Sequence, residues 1–493
     1  MQVQVLFSAP ILMTTHKPIQ FGTSGHRGII GESFTIAQVI AIAHAVADML
    51  LETKSSPKLI VGYDPRTGND PKRANGSFTH AVTKTLASRG VQVLFCKTYT
   101  ATPVISWAIQ HLELDGGLIL TASHNPPNYN GIKFNPANGA PAPSDVTDQL
   151  QIRANQHLQH PEAQINNKLA IQIINPIPEF AKALLQSLSK INSTPNRQIS
   201  VTIDAKHGTA ASVWKELLPH LPIITSTIIH EDSRSDFGNI STNPTDYSQL
   251  TDLISAHTDI SIAHDPDSDR HAILDEMGNP LTPEEICALL AEYALQKGLP
   301  LTGLVTTLAS SGLIKAAAKK HHLAYTETPV GFKHIAPELE KACHNHEIAF
   351  GVESSGGFST SFHTLEKCGF LPAVMLILYL SEITTPLSEL RNQLYDGYEN
   401  HHFGEISHAF NPSHKETIIT SCQTATSESL QPFFSQPIET LDQRDGLKII
   451  FTSTDWALIR LSGTEPIARI YAESNTETIT SKLIKELQNW ISG

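Results

Sequence analysis

The chain has 493 residues, more than one hydrophobic core can organise, so three or four domains of about 100–200 residues are expected. With 40% hydrophobic and 17% charged residues it has the composition of a folded protein, which excludes wholesale disorder. A formal charge of −13 and a pI near 6.0 speak against a nucleic-acid or anionic-membrane surface, which needs a basic face.

In chain order, the first residues carry no Lys or Arg before Lys17, so the charged front of a secretory signal is missing, and Met13 is a second candidate start. Ile36–Leu51 has the apolar period of an amphipathic helix, with Thr35 as its N-cap. Lys58–Asp64 (KLIVGYD), Val91–Cys96 (VQVLFC) and Gly117–Ala122 (GLILTA) read as strands. A second block opens with Ile199–Ala205 and closes with Ile260–Asp265. A third holds Leu304–Ala309, a helix over Leu313–His321, and Ile348–Glu353. Strands alternating with helices predict largely parallel sheets buried on both faces. The last block differs: Leu447–Phe451, Trp456–Leu461 and Ala468–Glu473 read as strands closed by one helix from about Glu477 to Trp490, a smaller α+β unit. The expected domains are 1–190, 191–300, 301–400 and 401–493, with linkers near 187–197, 298–303 and 398–410.

The five cysteines (Cys96, Cys287, Cys343, Cys368, Cys422) are scattered and never in CxxC spacing. That predicts neither a disulfide framework nor a zinc knuckle, and fits a reducing, cytoplasmic setting. No apolar run reaches the ~18 residues of a membrane span.

Four polar segments each sit at or just past the end of an apolar strand run, where ligands bind in open α/β sheets. In TASHNPPNYN, Ser123 stands where a strand meets a loop too rich in Pro and Asn to continue as sheet; the turn can expose the hydroxyl, but alone the segment reads first as a capped turn. In DPDSDR, Asp265, Asp267 and Asp269 can converge on a hard cation. An EF-hand needs Gly at the sixth position, which is Arg270 here, although Glu276 matches the twelfth. Three carboxylates leave room for a phosphate oxygen, which suits Mg²⁺ catalysis; the other reading is a solvated acidic turn. In GVESSGG, Glu353 can accept polyol hydroxyls, or the segment is simply a glycine turn. In RLSGTEP, Gly463 with Ser462, Thr464, Arg460 and the following Arg469 makes a phosphate nest. Near the start, FGTSGHRG surrounds Arg27 with glycines, and Lys133 in GIKFN can move protons if desolvated.

Together these segments resemble the α-D-phosphohexomutase family. FGTSGHRG, TASHNP, the DxDxDR loop, the glycine-flanked ExS and RxSGTEP appear in that family's order from about Ile19 to Glu473. GHRG, DPDSDRH, TPVGFKHI and SHNPPNYNGIKFNPANGAPA are similar to its bacterial phosphoglucomutase branch. The resemblance implies three related mixed or parallel-sheet α/β domains and a smaller C-terminal α+β domain around a central cleft. It implies an isomerase that interconverts α-D-glucose 1-phosphate and glucose 6-phosphate through bound glucose 1,6-bisphosphate, with one Mg²⁺ per chain.

Carried over by residue, the resemblance makes Ser123 the phosphorylated nucleophile, with Asp265, Asp267, Asp269 and Ser123 holding the metal. Arg27, His124, Lys133, Arg270 and Lys367 would line the reacting centre, Lys133 moving the proton. Glu353 and Ser355 would hold sugar hydroxyls, Gly331 and Lys333 would set sugar orientation, and Arg460, Ser462, Gly463, Thr464 and Arg469 would hold the idle phosphate. The expected partners are small phosphosugars, with no nucleic acid or membrane, and the expected state is a monomer or weak homodimer. Two positions depart from the family: Cys368 stands where Lys-Asp-Gly is common, removing a carboxylate that could orient Lys367, and Ser354 replaces a frequent second Glu. A phosphomannomutase or dual-specificity enzyme is the alternative within the family, and an inactive scaffold relative or a phosphatase the alternative outside its chemistry.

Overall fold

Four sheets follow one another along the chain, and the computed structural model describes residues 17–22, 25–70, 77–160, 170–396, 398, 401–461 and 466–492. The first sheet has the spatial order Phe21–Gly22, Gly25–Ile29, Tyr129–Pro136, Gly116–Leu120, Lys58–Tyr63, Gln92–Cys96, Ile171–Ile174. Its last four strands pair in parallel, and the rest are antiparallel. Central strands such as Gly116–Leu120 are buried at every position, because helices cover both faces; this is why they read as continuous apolar runs. Thr35 caps the helix Ile36–Leu51 in a capping box with Gln38, as the sequence predicts.

The second sheet runs Pro280–Leu281, His271–Leu274, Ile260–His264, Ile199–Asp204, Ile224–Ile229, and the third Ala324–Thr328, Leu301–Thr307, Ile348–Glu353, Gly357–Thr360. Both are mixed sheets. The helix Phe370–Glu382 packs on strands of both, which accounts for its being apolar nearly all round. The two sheets thereby share one continuous core. No single helix among the described residues is long and apolar enough to cross a membrane. All five cysteines are free thiols.

The fourth sheet is antiparallel throughout: His402–Ala409, Ile467–Ser474, Trp456–Leu461, Leu447–Ile450, Thr440–Asp442. The helix Glu477–Ser492 packs on it over a separate core. Three α/β units and a smaller sheet-rich unit are thus the architecture the sequence implies. Two linker expectations need correction. Residues 398–410 include the edge strand His402–Ala409, whose alternating half-buried residues (HFGEISHA) carry too little apolar signal to read as strand. Residues 298–303 already contain the start of Leu301–Thr307.

The fourth unit is fastened to the third. Lys448 Nζ reaches Leu308 O at 3.0 Å and Glu327 Oε1 at 2.9 Å. Glu473 accepts from Gly312 N at 2.7 Å, from Trp456 Nε1 at 2.9 Å and from Ser311 Oγ. Leu308, Ala309, Trp456, Leu458 and Tyr471 fill the seam.

Candidate active site

Ser123 lies just beyond the strand Gly116–Leu120, where Pro126 and Pro127 cannot donate to a ladder and the chain leaves the sheet. It takes φ +51°, a left-handed conformation that costs a non-glycine residue on the order of 1 kcal/mol. The side chain is buried, and Oγ donates to Asp265 Oδ2 at 2.7 Å.

Asp265, Asp267 and Asp269 follow the strand Ile260–His264, all buried, and offer oxygen atoms that lie within 4.8 Å of one another. Several units hold this loop. Thr102, at the start of the helix Thr102–His111, donates its N–H to Asp267 O (2.9 Å) and its hydroxyl to Asp267 Oδ2 (2.7 Å). Thr209 N donates to Pro266 O at 2.9 Å, and Gly369 N to Ser268 O at 3.2 Å. Glu276 instead accepts from Ser388, which removes the last EF-hand likeness. Asp267 Oδ1 and Asp269 Oδ1 are buried without a hydrogen-bond partner among the described residues, and so are Arg27 Nε, His124 Nδ1 and Arg270 Nε, although Arg270 Nε and Asp269 Oδ1 lie 3.8 Å apart as an ion pair. Buried polar atoms are rarely left without a hydrogen bond, so the carboxylate oxygens fit a cation and the nitrogens an anion. The donor set, oxygens only and compact, fits a hard divalent ion such as Mg²⁺.

Lys133, on the strand Tyr129–Pro136, donates to Asp267 Oδ2 (2.6 Å) and Asp269 Oδ2 (2.9 Å). Burial works against its charge, but Asp267 and Asp269 outweigh it and raise its pKa, so it is firmly an ammonium. Burial raises the Asp269 carboxyl, yet Lys133, Lys367 and Arg270 overcome that and hold it well below the usual range. Asp265 goes the other way: burial, then Asp267 and Asp269, push it well above the usual range. Burial, with Arg270 and Arg27 beside it, keeps the His124 imidazole neutral by lowering its pKa far below the ordinary value. Burial and Arg270 bring Arg27 down to about 10, and it donates to Asn125 Oδ1 at 3.0 Å.

Glu353 ends its strand buried, accepting from Ser355 Oγ at 2.8 Å, with Lys367 Nζ 4.0 Å from its Oε1. A Cβ at Gly357 would fall 2.5 Å from Lys367 Cδ, so glycine is what lets these groups meet. Lys367 Nζ also lies 3.2 Å from Asp269 Oδ2. Asp269 therefore supplies an orienting carboxylate, while Cys368 is buried in the core.

Not every expected residue converges on this centre. Lys333, two residues after Gly331 (φ +121°), bonds Ser144 Oγ of the first unit at 3.0 Å. It lines a cleft with Phe21, Lys133, Glu366 and Lys367. Arg460 and Arg469 are register partners on neighbouring strands; Arg460 bonds Asp445 at 2.8 Å, and the exposed Arg469 bonds Glu405 at 3.0 Å. Ser462, Gly463 and Thr464 lie outside the described residues.

Sequence reasoning passes over Thr102, Glu366, and the pair Asp64 and Arg66. Glu366 accepts from Asn135 Nδ2 at 3.0 Å, and burial raises its pKa against the pull of Lys367 and Lys133. Asp64 and Arg66 follow the strand Lys58–Tyr63, so the positional rule that singles out the other loops applies to them too.

Known proteins are similar to this chain in sequence and fold. The descriptions "Phosphoglucomutase/phosphomannomutase, alpha/beta/alpha domain" I, II and III match residues 18–160, 178–278 and 282–398. A phosphoglucomutase of Staphylococcus epidermidis is 28% identical over 506 residues, covering 92% of this chain and 90% of its own. One from Staphylococcus aureus (strain MSSA476) is 27% identical over 502 residues, covering 92% and 89%. Among solved structures, a candidate phosphomannomutase from Thermus thermophilus superposes with a TM-score of 0.79 at 25% identity, covering 97% of this chain and 100% of its own. The open form of the Paramecium phosphoglucomutase pp63/parafusin gives 0.76 at 20% identity, covering 97% and 96%. The chain belongs to the phosphoglucomutase/phosphomannomutase family of α-D-phosphohexomutases and is an enzyme of the isomerase class.

Proposed function

We propose that the chain is a phosphoglucomutase that interconverts α-D-glucose 1-phosphate and glucose 6-phosphate through phospho-Ser123 and bound glucose 1,6-bisphosphate. The observation that carries this reading is the Ser123 hydroxyl bonded at 2.7 Å to a buried three-aspartate cluster. The relatives named phosphoglucomutase over nine-tenths of the chain favour glucose.

In the first half-reaction a sugar hydroxyl oxygen bonds to the phosphorus on Ser123 and the P–Oγ bond breaks. Lys133, entering as an ammonium, gives its proton to the departing Oγ and takes the one the sugar hydroxyl loses, so protons balance. After the bisphosphate turns over, the same steps run in reverse from its other phosphate. Arg27, Arg270 and Lys367 neutralise charge on the transferring group, and neutral His124 offers Nδ1 as a hydrogen-bond partner. Ser123, Asp265, Asp267 and Asp269 would hold Mg²⁺, which offsets negative charge on the phosphoryl oxygens. Glu353 and Ser355 take sugar hydroxyls, Gly331 and Lys333 orient the ring, and Arg460 with Ser462, Gly463, Thr464 and Arg469 holds the idle phosphate. Cytoplasmic localisation accords with the free thiols.

The test is intact-mass analysis after incubation with glucose 1,6-bisphosphate and Mg²⁺, paired with rates on glucose 1-phosphate and mannose 1-phosphate. One phosphoryl group on wild type and none on Ser123→Ala is expected, with faster turnover of glucose 1-phosphate. Faster mannose turnover moves the reading to phosphomannomutase, and an inert wild type rejects it.

A further inference from the structure

Arg66 is among the largest fully buried side chains of the described chain, and all five of its N–H donors are used. Nε donates to Asp64 Oδ2 at 3.1 Å. The other four go to carbonyls of one loop: Pro126 O (2.8 Å) and Tyr129 O (3.0 Å) from one terminal nitrogen, and Asn125 O (2.7 Å) and Ser123 O from the other. The guanidinium also lies 4.9 Å from the centre of the Phe237 ring, in the second unit. Asp64 completes the frame from the opposite side: its Oδ2 accepts from Thr121 Oγ1 at 2.6 Å, and that same oxygen of Thr121 accepts from Ser123 N at 2.9 Å. Both backbone groups of Ser123 are therefore fixed by one ion pair, the carbonyl directly and the N–H through Thr121.

The loop organises itself only in part. Two consecutive prolines remove donors; Pro126 O also accepts from Tyr129 N at 3.0 Å and Asn125 O from Thr242 Oγ1 at 3.4 Å, whereas the carbonyl of the buried Ser123 is held by Arg66. Ser123 moreover holds a left-handed φ that a serine adopts only when its surroundings impose it. Because the peptide bond is trans, turning the Ser123 carbonyl toward Arg66 points the His124 N–H in the opposite direction.

We propose that Arg66, braced by Asp64, is the positioning residue of phosphoryl transfer: it holds Ser123 in the left-handed conformation that presents Oγ to Asp265. The inference rests on the reading of Ser123 as the phosphoryl carrier. A lysine cannot replace it, since three donors on a flexible stem cannot span four carbonyls and a carboxylate.

The experiment uses the full chain as wild type, Arg66→Ala and Arg66→Lys, with circular dichroism and thermal melts to establish folding. Steady-state kinetics on glucose 1-phosphate and phosphoryl uptake by intact mass are then measured. Misplacing a nucleophile by about 1 Å costs roughly 100-fold, so kcat is expected to fall by about that factor in both variants, with KM within about threefold. Guanidinium ion below denaturing concentration should restore part of the Arg66→Ala rate, and methylammonium should not. A folded Arg66→Ala with kcat within about threefold of wild type overturns the inference. So does a rate loss that guanidinium leaves untouched and that matches the unfolded fraction. If Arg66→Ala does not fold, Thr121→Val, which cuts the link to Ser123 N while keeping the cation, decides: an unchanged kcat and phosphoryl uptake overturns the inference. A wild type that takes up no phosphoryl group removes the reading of Ser123 itself, and the inference with it.

Discussion

The Lys133 ammonium lies 2.9 Å from Asp269 Oδ2, the same oxygen that Lys367 approaches to 3.2 Å. Two cations on one buried oxygen are tolerable only while that carboxylate and its neighbour Asp267 stay ionised. Lys133→Met therefore leaves two buried carboxylates short of charge, and a loss of about 3–5 kcal/mol is expected by urea unfolding without metal. Mg²⁺ should recover part of it. An unchanged urea midpoint would show that Lys133 does not stabilise the loop.

Asp265→Asn should separate stability from catalysis. Three carboxylates within 4.8 Å repel one another, so the neutral amide should leave the metal-free protein at least as stable as wild type. It should also abolish most of the rise in Tm that Mg²⁺ gives wild type and lower kcat by about 100-fold. Scanning fluorimetry with EDTA or Mg²⁺ checks the first half, and kinetics the second.

Stability should also respond to pH through Glu284. Its carboxyl accepts from Ser311 N at 3.3 Å, and burial, with Glu473 and Glu285 adding to it, raises it to about 7. Between the ordinary value of 4.5 and 7 the folded chain binds more protons than the unfolded one, so stability falls as pH rises through that window. Glu284→Gln keeps the acceptor and removes the charge. It should flatten this slope and stabilise the fold at pH 8 by on the order of 3 kcal/mol, which a melt reads as a higher Tm. Parallel wild-type and variant melts from pH 5 to about 8 would refute the assignment.

Glu473 fastens the fourth unit by accepting from Ser311 and Gly312 of the third, while Trp456 of its own sheet holds the carboxylate in place. Glu473→Ala strands those buried donors at about 1–3 kcal/mol each. An early unfolding step, separate from the main transition, should appear in urea as the fourth unit leaves the third. A single transition at the wild-type midpoint would contradict this.

The loops of the candidate site are more legible in the sequence than the joints between them are. Ser123, the Asp265 loop and Glu353 announce themselves because polar residues cannot continue a buried parallel strand, so each breaks an apolar run at the sheet's edge. Arg66 escapes notice because four of its five bonds run to backbone carbonyls, which leave no pattern in side-chain spacing. The strand His402–Ala409 is hidden because a sheet edge with one half-covered face needs little hydrophobicity. Lys367 lacks a carboxylate only when Cys368 alone is considered. Asp269, nearly a hundred positions away in sequence, supplies one, and separation along a chain says nothing about separation in space.

Asp445 Oδ2 accepts from Val330 N at 2.7 Å and from Arg460 Nε at 2.8 Å, so one oxygen ties the backbone just before Gly331 to an arginine of the fourth unit's sheet. An anion that drew the Arg460 guanidinium away would compete with Asp445 for it and leave that oxygen to Val330 alone. The seam between the third and fourth units therefore has a joint whose two halves cannot be recharged independently.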